Sequence, residues 1–264
     1  MAFCGDSFIF DSVPSEKYGL LLYEVQDHKQ DSGVLGSKLK ISEDRILRRA
    51  SALHYGVTYS GPLEFKLVFG VYEDFAHLDR FDLSAVAAWL TGHQQYKWLT
   101  ICQPDMESVR YKCIITELKQ IEIALSPIAF EATVTCDSPY AYHLPEKRVI
   151  ACSGTTTFQY RNPSNVNGYY FPSFKIDIPV GTQNISISNS ADAGRSFQLS
   201  NLSLTSPLSV FVNGETMAIE AGEVNLYESC NFEFLRLVRG INSITITGNC
   251  TITMLCEVPM NVGF

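Results

Sequence analysis

The histidines, cysteines and carboxylates of this chain are the side chains with chemistry to offer, and their spacing decides whether any of it can be concerted. The five histidines, His28, His54, His77, His93 and His143, lie far apart, and none belongs to the paired arrangement of a metalloprotease helix. Eight cysteines, Cys4, Cys102, Cys113, Cys136, Cys152, Cys230, Cys250 and Cys256, contain no C-x-x-C pair. A tetrahedral zinc site normally draws on such a close pair. Several cysteines sit in apolar runs, as Cys102 does in Leu99-Thr100-Ile101-Cys102 and Cys256 in Met254-Leu255-Cys256. That is the pattern of buried free thiols made in a reducing cytoplasm, so no metal and no cofactor is expected.

Nucleophilic and phosphate chemistry lack their apparatus as well. No G-x-S-x-G elbow marks a serine, and Ser153-Gly154 reads as a turn. Gly33 and Gly36 form neither a dinucleotide nor a phosphate-loop pattern. Asp177, Glu215, Glu220 and Glu223 are candidates for a glycosidase pair, which needs two carboxylates at a set separation, but turn solvation accounts for them with fewer assumptions. Catalytic residues: none are expected. Tyr169, Tyr170, Phe171 and Tyr227, if exposed beside polar groups, form the kind of platform on which a sugar stacks; a carbohydrate-binding adhesion protein of a tail or cell surface is therefore an alternative function. Arg45, Arg48 and Arg49 are the obvious basic cluster. The net charge is −8, with 13 basic to 19 acidic residues over 1–145 and 7 to 9 over the remainder, so the cluster reads as a solvated loop or a partner's salt-bridge site, not a duplex nucleic-acid surface.

The elements that must position these residues fall into two groups. A chain of 264 residues has room for two domains, and 46% apolar against 18% charged residues leaves surface for extended subunit contacts. Strands are predicted at Phe8–Phe10, over the apolar run of residues 18–25, at Leu63–Tyr72, where Leu63, Phe65, Leu67, Phe69 and Val71 alternate with Glu64 and Lys66, and at Trp98–Cys102, Val109–Leu118 and Phe130–Cys136. Between them Leu83, Val86, Ala87 and Leu90 share a helical face, capped by Asp82 or Ser84 and ended by Gly92. One short helix must cover a sheet, which gives an α+β first domain over residues 1–145. Residues 26–44 read as a long polar loop, and a basis for function in their own right.

From residue 146 to 264 the chain is rich in Ser, Thr, Asn and Val, and its pattern is all β. Short strands are predicted at Thr155–Tyr160, Ser173–Ile178, Asn184–Asn189, Ser196–Asn201, Leu208–Val212, Thr216–Ile219, Glu223–Tyr227, Glu233–Leu237, Ser243–Thr247 and Ile252–Val258, with Asn213-Gly214 as a hairpin turn. Strands at such intervals form a β-sandwich or jelly roll. Asp6, Asp11 and Glu16 interrupt the first apolar residues and no stretch is long enough to span a bilayer, so neither export nor membrane insertion is expected.

The order of these features resembles the distal tail protein family of siphophages. The match runs through Phe8–Phe10 and Tyr18-Gly19-Leu20, then Leu63–Phe69, the helix ending Ala88-Trp89-Leu90, and Phe130–Cys136 followed by Asp137-Ser138-Pro139-Tyr140-Ala141. Arg161-Asn162-Pro163 to Phe171-Pro172 is similar to the start of that family's C-terminal galectin-like sandwich. The resemblance covers nearly the whole chain. It implies a non-enzymatic virion subunit at the distal end of the tail, assembled in the host cytoplasm. Six copies would form a hub ring, with the first domain as belt and the sandwich outward. The ring would join the tail-tube protein to baseplate, fibre or receptor-binding proteins and leave a channel for the tape-measure protein and DNA. On this reading the segment Gln26 to Arg45 is an arm ordered between subunits, and a tail-tube subunit is a second alternative.

Overall fold

The computed structural model describes residues 7–22, 37–71, 78–104, 107–123 and 126–262. The chain divides into two compact units, Met1–His143 with Asn261–Phe264, and Leu144–Met260. Both are built mainly of antiparallel β-sheet.

In the first unit the strands are β1 (Ser7–Phe10), β2 (Val13–Pro14), β3 (Leu20–Leu22), β4 (Leu39–Asp44), β5 (Leu53–Tyr59), β6 (Glu64–Val71), β7 (Lys97–Cys102), β8 (Val109–Ile123), β9 (Ser126–Cys136) and β10 (Ala141–His143). The main sheet runs β2-β1-β7-β8-β9-β6-β3, β10 lies along the start of β8, and among the described residues β4 and β5 form a separate two-stranded sheet. The alternation read in β6 is real, with Leu67 and Phe69 buried against exposed Glu64 and Lys66. Cys102 ends β7 on the outward phase, so it is exposed despite its apolar neighbours, whereas the other described cysteines are buried.

The helix α1 (Arg80–Thr91) begins one turn earlier than its apolar face announces. Asp79 is the N-cap: its Oδ1 accepts from the backbone N–H of Phe81 at 2.7 Å and of Asp82 at 2.9 Å, and Asp82 returns the bond to the Asp79 N–H at 3.1 Å. Asp82 is thus the reciprocal member of a capping box and not the cap. Val86, Trp89 and Leu90 are buried. Trp89 stacks on Tyr18 at 4.7 Å and on Phe8 at 5.7 Å, and its indole N–H donates to the Phe10 carbonyl at 3.2 Å. Phe8 in turn meets Phe69 at 5.2 Å, and Phe69 stacks on Phe130 at 5.5 Å. β1 and β6 are not neighbours in the sheet order, so this ring-to-ring chain exists because the sheet curls around its own aromatic face. Truncating one such ring to alanine costs about 3–5 kcal/mol.

The second unit is organised by one pair of long strands. β11 (Glu146–Asn162) and β17 (Gly240–Cys256) form a continuous 17-residue ladder, from Glu146↔Cys256 to Asn162↔Gly240. The other edge of β17 is shared. β13 (Ile185–Asn189) pairs with residues 244–247 and β12 (Ser173–Ile178) with residues 251–255. β14 (Ser196–Leu199) adds to β13, while β15 (Leu208–Asn213) and β16 (Ala218–Glu220) add to β12. One sheet therefore splits at Gly248-Asn249 into two wings. The wings face each other, since Phe174 on β12 packs edge-on to Phe197 on β14 at 5.3 Å and both belong to one core. A sandwich made by curling a single sheet is the result.

The fold class read from the sequence holds, and three local readings do not. Ser153-Gly154 is not a turn between strands; it lies inside β11, where Ser153 and Gly154 are the register partners of Asn249 and Gly248 in β17. Gly154 and Gly248 have φ of +90° and +120°, so the bend is made by two glycines facing each other across the ladder. Glu223–Tyr227 and Glu233–Leu237 are not strands: Leu226, Phe234, Leu235 and Leu237 are core side chains delivered by irregular backbone. Asn213-Gly214 does open a hairpin, but with a four-residue loop, in which the Asn213 Oδ1 accepts from the N–H groups of Glu215 and Thr216 at 2.9 and 3.1 Å. Glycine is required at 214 because a Cβ there would collide with the Phe171 carbonyl.

The far end of the ladder is pinned by buried amides. Asn242 accepts from the Val238 N–H at 2.8 Å and donates to the carbonyls of Val238 and Gly240, while Asn189 donates to the Asn242 Oδ1 at 2.9 Å and to the Arg236 carbonyl at 2.7 Å. Both amides are fully buried. They satisfy backbone groups of the strandless segment that would otherwise be left without partners.

The two glycines of the bend are not equivalent. A Cβ on Gly248 would lie 2.6 Å from the Asn184 carbonyl oxygen, whereas one on Gly154 meets open space. Gly248→Ala is expected to destabilise the second unit by about 3 kcal/mol or more, through backbone strain plus collision, and Gly154→Ala by about 1–2 kcal/mol, through strain alone. Denaturant melts of the two variants check the order; equal effects would show that the bend is not set at Gly248.

Candidate functional site

Among the described residues of the first unit, the hairpin of β4 and β5 carries a cluster of exposed large apolar side chains. Leu39 faces Tyr59 and Ile41 faces Val57 across the ladder, so four apolar side chains lie on one side of a two-stranded sheet. Leu39 is 62% exposed, Ile41 58% and Val57 48%. A bulge between Ser42 and Glu43 lets Tyr55, also exposed, stand outside this register. A two-stranded hairpin is marginal in water without something against its apolar face.

Its tip carries the basic cluster. Arg45, Arg48 and Arg49 are all exposed, Arg45 lies 3.8 Å from Glu43, and Leu47 between them is 88% exposed. The tight turn is closed by the Arg49 N–H donating to the Ile46 carbonyl at 3.1 Å, with Arg48 in the left-handed region at φ +67°. The polar loop expected over residues 26–44 is therefore a strand from Leu39 onward, and residues 26–36 of it lie outside the described residues. The pattern was present: Leu53, Tyr55, Val57 and Tyr59 alternate with His54, Gly56 and Thr58.

The base of the hairpin is held by the segment Asp137–Ala141. Tyr59 meets the Tyr140 ring edge-on at 5.3 Å, the Ser37 hydroxyl donates to the Pro139 carbonyl at 3.1 Å, and the Leu63 N–H donates to the Ser138 carbonyl at 2.9 Å. Tyr142 completes the anchor: its hydroxyl donates to Asp137 at 3.1 Å and lies 2.9 Å from the Ser138 hydroxyl. Its ring stands edge-on to Trp98 at 5.5 Å, and the Arg110 guanidinium covers the Trp98 face at 3.5 Å. Burial and the Tyr59 hydroxyl push the Tyr140 phenol up, so Tyr140 stays neutral at physiological pH.

The other residues singled out from the sequence stay dispersed. His54 is exposed on β5, His93 is half-buried at the edge of Phe10, and His28 and His77 lie outside the described residues. Asp177 is paired with Lys175 at 2.7 Å and with the Ser209 hydroxyl, and both hold its carboxyl below the ordinary range. Asp177 lines one groove, whereas Glu220 and Glu223 line another with Tyr227, and Glu215 is exposed on the β15–β16 turn. Tyr170 and Phe171 fold against the core, the Tyr170 hydroxyl accepting from the Glu257 N–H at 2.7 Å. Tyr169 is exposed with Arg236 over its ring at 3.9 Å, and Arg236 forks onto Asp192 at 2.8 Å. Tyr227 is exposed and stacks on Phe232 at 5.8 Å, a contact absent from the sequence reading. Among the described residues no group of three His, Cys, Asp or Glu side chains is placed to hold a metal ion, and no helix is long and apolar enough to cross a membrane.

Residues 3–138 match the family model described as phage tail protein N-terminal domain, and residues 140–256 match the one described as phage tail C-terminal domain. The fold is similar to that of the SPP1 Dit protein, described as a paradigm of hub adsorption apparatus in Gram-positive infecting phages, at a TM-score of 0.66 and 10% identity over 96% of this chain and 98% of that one. It is also similar to chains of the phage P2 baseplate in its activated conformation. With Ca the TM-score is 0.53 at 8% identity, covering 96% and 98% of the two chains. With Sr it is 0.50 at 8% identity, covering 91% of each. At such identities the likeness is one of fold. No curated protein sequence matches the chain.

His143 gives this unit an acid-sensitive point. Its Nε2 is buried without a hydrogen-bond partner, and burial depresses the pKa below the ordinary 6.5. The unfolded chain binds the proton first, so the stability contribution is complete above about pH 6.5 and is lost as pH falls through the depressed value. Melts of wild type and His143→Gln between pH 7.5 and 5 are expected to diverge, the variant losing less on acidification; parallel profiles would remove His143 from the account.

Proposed function

The chain belongs to the phage tail protein family, and on that premise we propose that it is the distal hub of the tail, a structural subunit that closes into a homohexameric ring. The observation that carries this reading is the β4–β5 hairpin, whose one apolar face is exposed among the described residues. Laid on the first unit of the next copy, that face makes a head-to-tail contact, and such a contact repeated with closure gives a ring. Burying each large apolar side chain contributes about 1.5–3 kcal/mol, and the ring repeats the contact at every joint. The basic tip at Arg45, Arg48 and Arg49 supplies charge complementarity to an acidic neighbour, in a chain whose net charge is −8.

The ring has two faces and a centre, and these define its partners. One face takes the last ring of tail-tube protein, the other the baseplate, fibre or receptor-binding proteins. The tape-measure protein and then DNA pass through the centre without specific binding, in keeping with a chain of net charge −8, which disfavours contact with phosphate. In this role the first unit is the ring-forming belt and the second the outward sandwich. No enzymatic step is assigned to either.

Ile41→Asp with Val57→Asp places two charges on the apolar hairpin face without touching the main sheet. The double variant is expected to keep its melting profile and to lower ring assembly at least a hundredfold, read by light scattering and negative-stain imaging with and without tail-tube protein. A wild type that stays monomeric even with that protein, or rings that form equally well in the variant, would sink the proposal.

A further inference from the structure

Six of the described cysteines are buried, and four of them form two pairs that face each other directly in antiparallel ladders: Cys113 with Cys136 on β8 and β9, and Cys152 with Cys250 on β11 and β17. Directly opposed residues have Cα atoms about 4.5–5.5 Å apart, within the roughly 4.4–6.8 Å range of a disulfide. Their side chains also leave the same face of the sheet.

Access separates the two pairs. Cys113 and Cys136 are 0% exposed. Cys152 and Cys250 retain 6% and 5% exposure and line an open groove of about 510 Å³ with Ser153, Ser209 and Asn249. The second pair also lies two ladder positions from the Gly154–Gly248 bend. Across the inside of that bend the Cys152 thiol donates to the Ile246 carbonyl at 3.5 Å, although Ile246 is four residues along β17 from the Cys152 partner.

We propose that Cys152 and Cys250 are an oxidation site, which forms a cross-strand disulfide with a small-molecule disulfide as oxidant and clamps the bend of the β11–β17 ladder, while Cys113 and Cys136 remain thiols. One thiolate attacks a sulfur of glutathione disulfide, whose S–S bond breaks to release one glutathione thiolate and leave a mixed disulfide on the protein. The opposed cysteine, as thiolate, attacks the protein-side sulfur and expels the second glutathione. Two protein thiols are oxidised, one glutathione disulfide is reduced to two thiols, and the protons pass to the leaving thiolates. The groove is where the glutathione moiety sits between the two steps. Burial pushes the Cys250 thiol up to about 11 and that of Cys136 to about 12, so exchange is slow and faster at alkaline pH. This chemistry does not depend on ring formation. It suits a particle made in a reducing interior and used outside it.

The test is exposure of the folded full chain to glutathione disulfide at pH 8.5, then alkylation in denaturant and peptide mapping without reductant. The expected product is a linked pair of peptides carrying Cys152 and Cys250, with Cys113 and Cys136 fully alkylated. The thermal midpoint should rise by about 5–10 °C, as for a disulfide closing a long loop, return with dithiothreitol, and stay unmoved in Cys250→Ser. Cys152 and Cys250 recovered as free thiols, either one joined to another cysteine, or earlier oxidation of Cys113 and Cys136 would overturn the proposal.

Discussion

A strand of 17 residues cannot line a small core while it stays straight. The inward residues of β17, from Asn242 to Cys256, alternate without a break, so the whole strand is committed to one core. The only geometry that lets both halves reach it is a bend in mid-strand, made together with the strand beside it. Gly154 and Gly248 meet this constraint at the same rung, and the split of the sheet, the facing of Phe174 and Phe197, and the open groove beside Cys152 and Cys250 follow from it. The buried amides of Asn189 and Asn242 then fix the segment that crosses one end of the ladder.

The first unit solves its problem differently. Its sheet is closed over aromatic rings, with Trp89 as the joint between helix and sheet through two stacked faces and one hydrogen bond. The sheet buries Phe8, Phe10, Leu67, Phe69, Leu99 and Ile101 internally, and the exposed apolar face of β4 and β5 contrasts with it. The hairpin is ordered at its base by Tyr59, Ser37 and the Asp137–Ala141 segment. Recognition and fold are thus separated: the sheet supplies rigidity and the hairpin supplies contact.

What could be read from the sequence was whatever rested on an unbroken period. β6, β7 and β12 show alternation, as does β9 from Phe130 to Cys136, and the helix shows its three-to-four spacing. Readings failed where one residue type serves two physical purposes. Glycine at 154 looked like punctuation because glycine also makes turns; only its placement on one rung with Gly248, a property of the pairing, distinguishes a bend from a break. Leu226, Phe234 and Leu237 looked like strand residues because burial was satisfied without a ladder. The first strand of the hairpin fell within the polar loop read over residues 26–44, and the alternation of Leu53, Tyr55, Val57 and Tyr59 went unread. Its function as a surface lies in their exposure, which no spacing reports.

The path of the chain through the second unit also sets how that unit carries load. Its first strand begins at Glu146, its long last strand ends at Cys256, and these two residues are partners on the terminal rung. The chain returns to the first unit at Asn261, a few residues later. Any tension transmitted through the chain therefore enters the ladder at one end and peels it rung by rung; it does not shear all the rungs at once. A ladder loaded this way is mechanically soft however stable it is at equilibrium. Force that must pass through this unit has to be borne across its faces, and not along its backbone.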